Sequence, residues 1–196
     1  MVTKKYLKTK NFLIIRSIKN ACAMKSLKLK EQKKPKQNKL IILTGTPGTG
    51  KSTLARQLSK ILKIPRFDLH KHYLKVSSTF DKKKDCYVID IKKLEKVLSD
   101  KLKKSSYILD THLSHLLPAK MVFVCIVMTC SDLKELERRL KKRRYLPAKI
   151  RENLDSEIFQ ICLNEAQERG QEVVILDGSK RINLLELILG LRKFIP

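Results

Sequence analysis

No uncharged apolar run in this chain of 196 residues is long enough to cross a bilayer: Met121 to Thr129 spans nine residues, against the roughly 20 that a membrane helix needs. A transmembrane helix is thereby excluded, and no membrane partner is expected. The five cysteines (Cys22, Cys86, Cys125, Cys130, Cys162) form no CxxC pair and no Cys/His metal spacing. Their odd number, with several inside apolar runs, argues against a disulfide framework and for a reduced compartment, cytoplasmic, or nuclear if the cell has a nucleus. No internal repeat is visible. Neither an RNA-binding signature nor an aromatic stacking platform can be read from the order of residues, which disfavours a dedicated nucleic-acid module. Acidic residues are scarce, 19 against 44 Lys and Arg, for a formal net charge of +25. That balance suits polyanionic partners such as RNA, or anionic substrates. A Lys-rich solvated surface without any such partner would look the same.

The charge is uneven. Residues 1–38 hold twelve Lys or Arg and a single acid, Glu31, so +11 sits there and +14 on the remainder. Within this stretch, Asn11 to Met24 is apolar behind a basic start, but Arg16, Lys19 and Asn20 interrupt it. A signal peptide would not be so broken, and an organelle-targeting helix would prefer Arg and Ser to Lys. Residues 25–38 are Lys-rich with little apolar content, too little to offset the entropy of ordering. We expect a flexible basic extension over 1–38 and one domain over 39–196, a length that a single core fills.

From Lys39 onward, short continuous apolar runs alternate with longer runs of helical period, the pattern of βα units around a mostly parallel sheet. The predicted strands are Leu40 to Leu43, Tyr107 to Leu109, Val122 to Met128 and Val173 to Leu176, each apolar on both faces. The predicted helices are Lys51 to Leu62, Ile91 to Lys103, Leu133 to Lys142, Lys149 to Arg169 and Asn183 to Phe194. In the second, Ile91, Leu94, Val97, Leu98 and Leu102 recur at spacings of three and four, a stripe to be buried. Pro147 should break the chain between the third and fourth.

The most specific signal is Gly45-Thr46-Pro47-Gly48-Thr49-Gly50-Lys51-Ser52-Thr53, an unbroken GxxxxGK[ST] pattern between an apolar strand and a helical run. Such a loop turns on its glycines so that successive backbone N–H groups, backed by a helix N-terminus, converge on phosphate. Gly45, Gly48, Thr49, Gly50, Lys51, Ser52 and Thr53 are therefore the predicted ATP-binding residues. Lys51 would reach the β- and γ-phosphates, Ser52 would offer a hydroxyl to Mg²⁺, and Thr53 would stand near the α-phosphate. The fold class that follows is α/β, a three-layer P-loop NTPase.

Such a site also needs an acid at the end of a neighbouring strand. Asp110, after Tyr107-Ile108-Leu109, is placed to serve, joining Ser52 at the metal partly through water; a simple strand-end cap is the alternative. His112 should point to the same side as Asp110 if the chain stays extended. It either orients water or substrate, or packs beneath a loop. The cationic run from Arg138 to Tyr145 either closes over a triphosphate or is a solvated charged face.

Four motifs together resemble one family, adenylate kinase isoenzyme 6 with its archaeal putative adenylate kinase relatives: TGTPGTGKSTLA at 44–55, DCYVID at 85–90, DTHLSHLLP at 110–118 and RRYLPAKIRENLDSEIF at 143–159. The resemblance covers Lys39 to Ser179. It implies a nucleoside monophosphate kinase fold with a short lid near 142–152, where Arg143 contacts ATP, and an acceptor region near 68–91; we expect a monomer. It also makes Asp110 and His112 a modified Walker B pair, and Lys51, Asp110, His112 and Arg143 the catalytic set. The implied reaction is phosphoryl transfer from ATP, with Mg²⁺, to a nucleoside monophosphate, chiefly AMP. The family equally implies a second role, an ATPase that assists small ribosomal subunit assembly through a ribosomal protein or pre-rRNA. The chain departs from the family in two places within the domain. Its lid reads Arg143-Arg144-Tyr145 where the family usually has Arg-Gly-Tyr, and its acceptor region carries Lys and His (Lys71, His72, Lys75, Lys82 to Lys84) in place of an evident phosphate-binding arginine.

Overall fold

The computed structural model describes residues 37–81 and 86–195. The extension expected over 1–38 thus lies outside the described residues up to Lys36, as do Lys82 to Asp85 of the expected acceptor region.

Four parallel strands form the sheet: β1 (Leu40–Thr44), β4 (Tyr107–Asp110), β5 (Val122–Thr129) and β6 (Val173–Asp177), in the order β4-β1-β5-β6. Because successive strand residues face opposite sides, β1 feeds two cores. Leu40 and Ile42 pack with Leu94 and Leu98 of α3 (Ile91–Leu102) and with Leu163 and Ala166 of α6 (Ile161–Glu168). Ile41 and Leu43 pack with Leu54, Ala55 and Leu58 of α1 (Lys51–Leu62) and with Leu187, Ile188 and Leu191 of α7 (Leu184–Leu191). This is the expected three-layer arrangement, and all five residues of β1 are buried. Truncating one of these leucines to alanine would cost about 2–5 kcal/mol.

Two further pairs complete the domain. A small helix α2 (Tyr73–Val76) leads into an antiparallel hairpin of β2 (Ser77–Asp81) and β3 (Cys86–Ile89). The helices α4 (Leu133–Lys142) and α5 (Pro147–Ile158) share a separate core of Cys130, Leu136, Leu140 and Ile150.

Three expectations need correction. The single helix predicted over Lys149 to Arg169 is two, α5 and α6, because Gln160 takes a left-handed backbone (φ 52°) that no helix can continue through. Pro147 opens α5 from its first turn, where its missing N–H costs nothing, so the helix begins two residues earlier than predicted. Strand β6 is not buried on both faces: it is an edge strand, and Ile175 is 41% exposed.

Candidate active site

The loop after β1 is shaped by close approach. Gly45 has φ 129°, and a Cβ there would sit 2.1 Å from the carbonyl oxygen of Met128 on β5. Gly178, after β6, packs as tightly, since its Cβ would lie 1.9 Å from the Thr49 carbonyl oxygen. Helix α1 then starts at Lys51 with no side-chain cap and no acid in its first turn. Its N–H groups and positive dipole end therefore remain available to an anion. Lys51 Nζ donates to the carbonyls of Gly45 (2.6 Å) and Thr46 (2.8 Å). Burial lowers its pKa from 10.5 to about 8, with Arg143 pushing in the same direction.

Asp110 ends β4, next to the loop. Its side chain is 4% exposed, and its Oδ1 accepts from Arg66 through Nε (3.1 Å) and Nη2 (2.7 Å). The chain turns after Asp110, with Ser114 and Leu113 donating to the carbonyl and hydroxyl oxygens of Thr111 respectively. His112 nevertheless lines the same cleft as Asp110. The cleft walls, and then the charge of Lys51, push its imidazole pKa below the ordinary value, so His112 is neutral near pH 7.

Behind the loop, the buried His115 joins three elements. Its Nδ1 lies 2.6 Å from Thr44 Oγ1 at the end of β1, and its Nε2 lies 2.6 Å from Glu165 Oε2 on α6. Burial lowers the His115 pKa, although the Glu165 carboxylate pulls the other way. The neutral tautomer protonated on Nε2 satisfies both contacts, with Thr44 donating to Nδ1 and Nε2 donating to Glu165. Gln171 fixes the same turn by donating to the carbonyls of His115 and Leu117.

The structure sorts the cationic run into separate tasks. Arg138 is exposed and pairs with Glu135. Arg139 donates to the carbonyls of Gly48 and Gly178, strapping the phosphate loop to the loop after β6. Arg143 and Tyr145, between α4 and α5, line the cleft. Aromatic rings from the predicted acceptor region meet in a chain, with His70 to Tyr73 at 4.8 Å, Tyr73 to Tyr87 at 5.3 Å and Phe80 to Tyr87 at 5.1 Å between centroids. All four line the cleft as well.

Of the residues singled out from the sequence, Gly48, Gly50, Lys51, Ser52, Thr53, Asp110, His112 and Arg143 line one cleft of about 1120 Å³. Gly45 and Thr49 do not: Thr49 is buried and its hydroxyl donates to the Thr46 carbonyl at 2.9 Å. Sequence reasoning missed Arg66, the strapping role of Arg139, the His115–Glu165 contact and the aromatic chain. Arg66 precedes the predicted acceptor region, and only the pairing of its segment with β4 brings it to Asp110. Among the described residues no group of three or more His, Cys, Asp or Glu could hold a metal. Ser52 and Asp110 supply one hydroxyl and one carboxylate. That donor set fits a Mg²⁺ that keeps most of its oxygen ligands from phosphate and water.

A family model described as an AAA domain matches residues 41–160. The putative adenylate kinase of Methanocaldococcus jannaschii is 39% identical over 137 residues, covering 68% of this chain and 75% of that one. The adenylate kinase isoenzyme 6 homolog of Schizosaccharomyces pombe is 34% identical over 144 residues, covering 70% and 79%. The chain belongs to the adenylate kinase isoenzyme 6 family. Solved structures agree on the fold: deoxyadenosine kinase from M. mycoides with bound dATP superposes with a TM-score of 0.53 at 18% identity, covering 79% of this chain and 99% of that one. Shikimate kinase from Acinetobacter baumannii does so with 0.51 at 13% identity, covering 79% and 95%. In the turn between α4 and α5, where the resemblance led us to expect glycine, Arg144 has φ 59°, the left-handed conformation that glycine adopts freely.

Proposed function

We propose that this protein transfers the γ-phosphoryl group of ATP, with Mg²⁺, to a nucleoside monophosphate, AMP above others. The observation that carries the reading is the single cleft lined both by the phosphate loop and by the aromatic chain of the acceptor region, with Asp110 and Arg66 in the same wall. Its volume, about 1120 Å³, exceeds the roughly 300–1,000 Å³ that encloses one drug-sized ligand, and so suits two nucleotides.

In this reading Lys51 exchanges its two loop carbonyls for the β- and γ-phosphate oxygens. Arg143 comes in from the lid to balance charge spread over the equatorial oxygens. An oxygen of the acceptor phosphate attacks the γ-phosphorus while the bond to the departing ADP breaks. Little covalent work falls to the protein, and positioning with electrostatics supplies the rate. Ser52 and Asp110 would hold Mg²⁺, partly through water, and the ion would neutralise phosphate charge. Neutral His112 is available to accept or donate one hydrogen bond to water or acceptor.

The test is ADP formation by the purified chain with ATP and Mg²⁺, without acceptor and with AMP, GMP, CMP or UMP in turn, for wild type and Lys51→Ala. A rate that rises with AMP and disappears in the variant is the expected result. Hydrolysis indifferent to every monophosphate would overturn the kinase reading. It would favour the second one, an assembly ATPase that contacts a ribosomal protein or pre-rRNA. The +11 charge over residues 1–38 is the observation on that side. Deleting those residues should then abolish a salt-sensitive RNA affinity.

A further inference from the structure

We propose that Arg66 is the residue that receives the acceptor's phosphate, and that Asp110 anchors its guanidinium for that task. The inference rests on the kinase reading above and adds the residue which that reading leaves unassigned. Among the described residues, the cations that the sequence offers in the acceptor region do not fill the role: Lys71, His72 and Lys75 do not line the cleft. Among the described residues, the arginines and lysines that do are Lys51, Arg56, Arg66, Arg143 and Lys149. Lys51 belongs to the phosphate loop, Arg56 donates to Thr53 on α1, and Arg143 and Lys149 belong to the lid segment. Arg66 alone of these stands on the chain that leads into the acceptor region.

Its placement is fixed from two sides. The backbone of residues 65–67 runs parallel to the outer edge of β4: Phe67 N–H donates to the Ile108 carbonyl (2.8 Å), and Ile108 N–H to the Pro65 carbonyl (2.9 Å). The side chain is then held by Asp110, which is almost fully buried while Arg66 is 34% exposed. Two of the five guanidinium N–H groups are committed to Oδ1, leaving three for another acceptor. A lone buried carboxylate would repel a phosphate dianion. Paired with Arg66, it becomes a neutral unit whose open face is all donors, the fork geometry that suits phosphate oxygens. One guanidinium would thus touch both the acid expected at Mg²⁺ and the acceptor, setting the attacking oxygen beside the transferring group.

The test uses the full chain and its variants R66Q and R66K, with AMP as the probe. AMP binding is measured calorimetrically without ATP, and KM for AMP and for Mg·ATP in the coupled assay. Loss of a charge-assisted contact should weaken AMP about 10- to 100-fold in R66Q. R66K should fall between R66Q and wild type, and in both variants the loss of AMP affinity should exceed any rise in the KM for Mg·ATP. R66K retains the charge and keeps the test readable should R66Q fail to fold. Variants that bind AMP normally but need more Mg·ATP would overturn the proposal, because Arg66 would then serve only to orient Asp110. Wild-type protein that binds no AMP would overturn this proposal and the kinase reading together, whereas AMP-dependent turnover unchanged in R66Q would overturn this one alone.

Discussion

Lys51 rests on two carbonyls of its own loop, and its ammonium is poorly solvated enough that its pKa falls to about 8. A bound triphosphate favours the charged form and restores a higher value, so above pH 8 nucleotide binding must take up a proton. Affinity should therefore be level near pH 7 and fall above pH 8, by at most about tenfold per pH unit for one proton. The measurement is KM for Mg·ATP between pH 7 and 9.5. Lys51→Arg, whose guanidinium stays charged throughout, should abolish the slope, and a wild-type KM flat to pH 9.5 would contradict the account. At this scale the site was legible where chemistry follows chain order. GxxxxGK[ST] is a local motif, and Asp110 is marked by the strand before it. Arg66 was not, because 44 positions separate it from Asp110 and only strand pairing joins them. The aromatic chain was hidden similarly, since Tyr73 and Tyr87 meet only when the β2–β3 hairpin closes.

The helix pair α4–α5 turns on Arg143, Arg144 and Tyr145, and the turn demands a left-handed residue at Arg144. That conformation costs a side-chain-bearing residue about 1–2 kcal/mol relative to glycine, partly offset by glycine's greater freedom when unfolded. Arg144→Gly should accordingly stabilise the protein by up to about 1 kcal/mol, or about 2–4 °C in melting temperature at this chain length. A lower melting temperature would show that Arg144 contributes a contact outweighing its strain. Helices and strands with strong periodicity were readable to within a few residues: α1 and α4 lie where Lys51 to Leu62 and Leu133 to Lys142 were expected. The break between α5 and α6 was not readable. Gln160 is neither glycine nor proline, and its left-handed backbone has no local signal. The hairpin escaped for a different reason: Ser77–Asp81 is short and largely polar, and Cys86–Ile89, though apolar, is only four residues long.

Across the whole domain, His115 ties β1, the turn after β4 and α6 into one unit, and its side chain is 3% exposed. Folded, it is neutral with a lowered pKa; unfolded, it charges below about 6.5. Between those two values the unfolded chain binds more protons, so stability should drop as pH falls through 6.5, by at most about 1.4 kcal/mol per pH unit from this group. Urea unfolding at pH 7.0, 6.0 and 5.5 should display the fall, and His115→Asn should remove that part of the slope; equal slopes in the two proteins would refute it. The central claim, however, concerns two nucleotides sharing one cleft. It is tested most directly by following the labelled γ-phosphoryl group of ATP in the presence of Mg²⁺ and AMP. The account predicts that the label appears in ADP and that little is released as inorganic phosphate. Release of the label as inorganic phosphate, at the same rate with and without AMP, would contradict it.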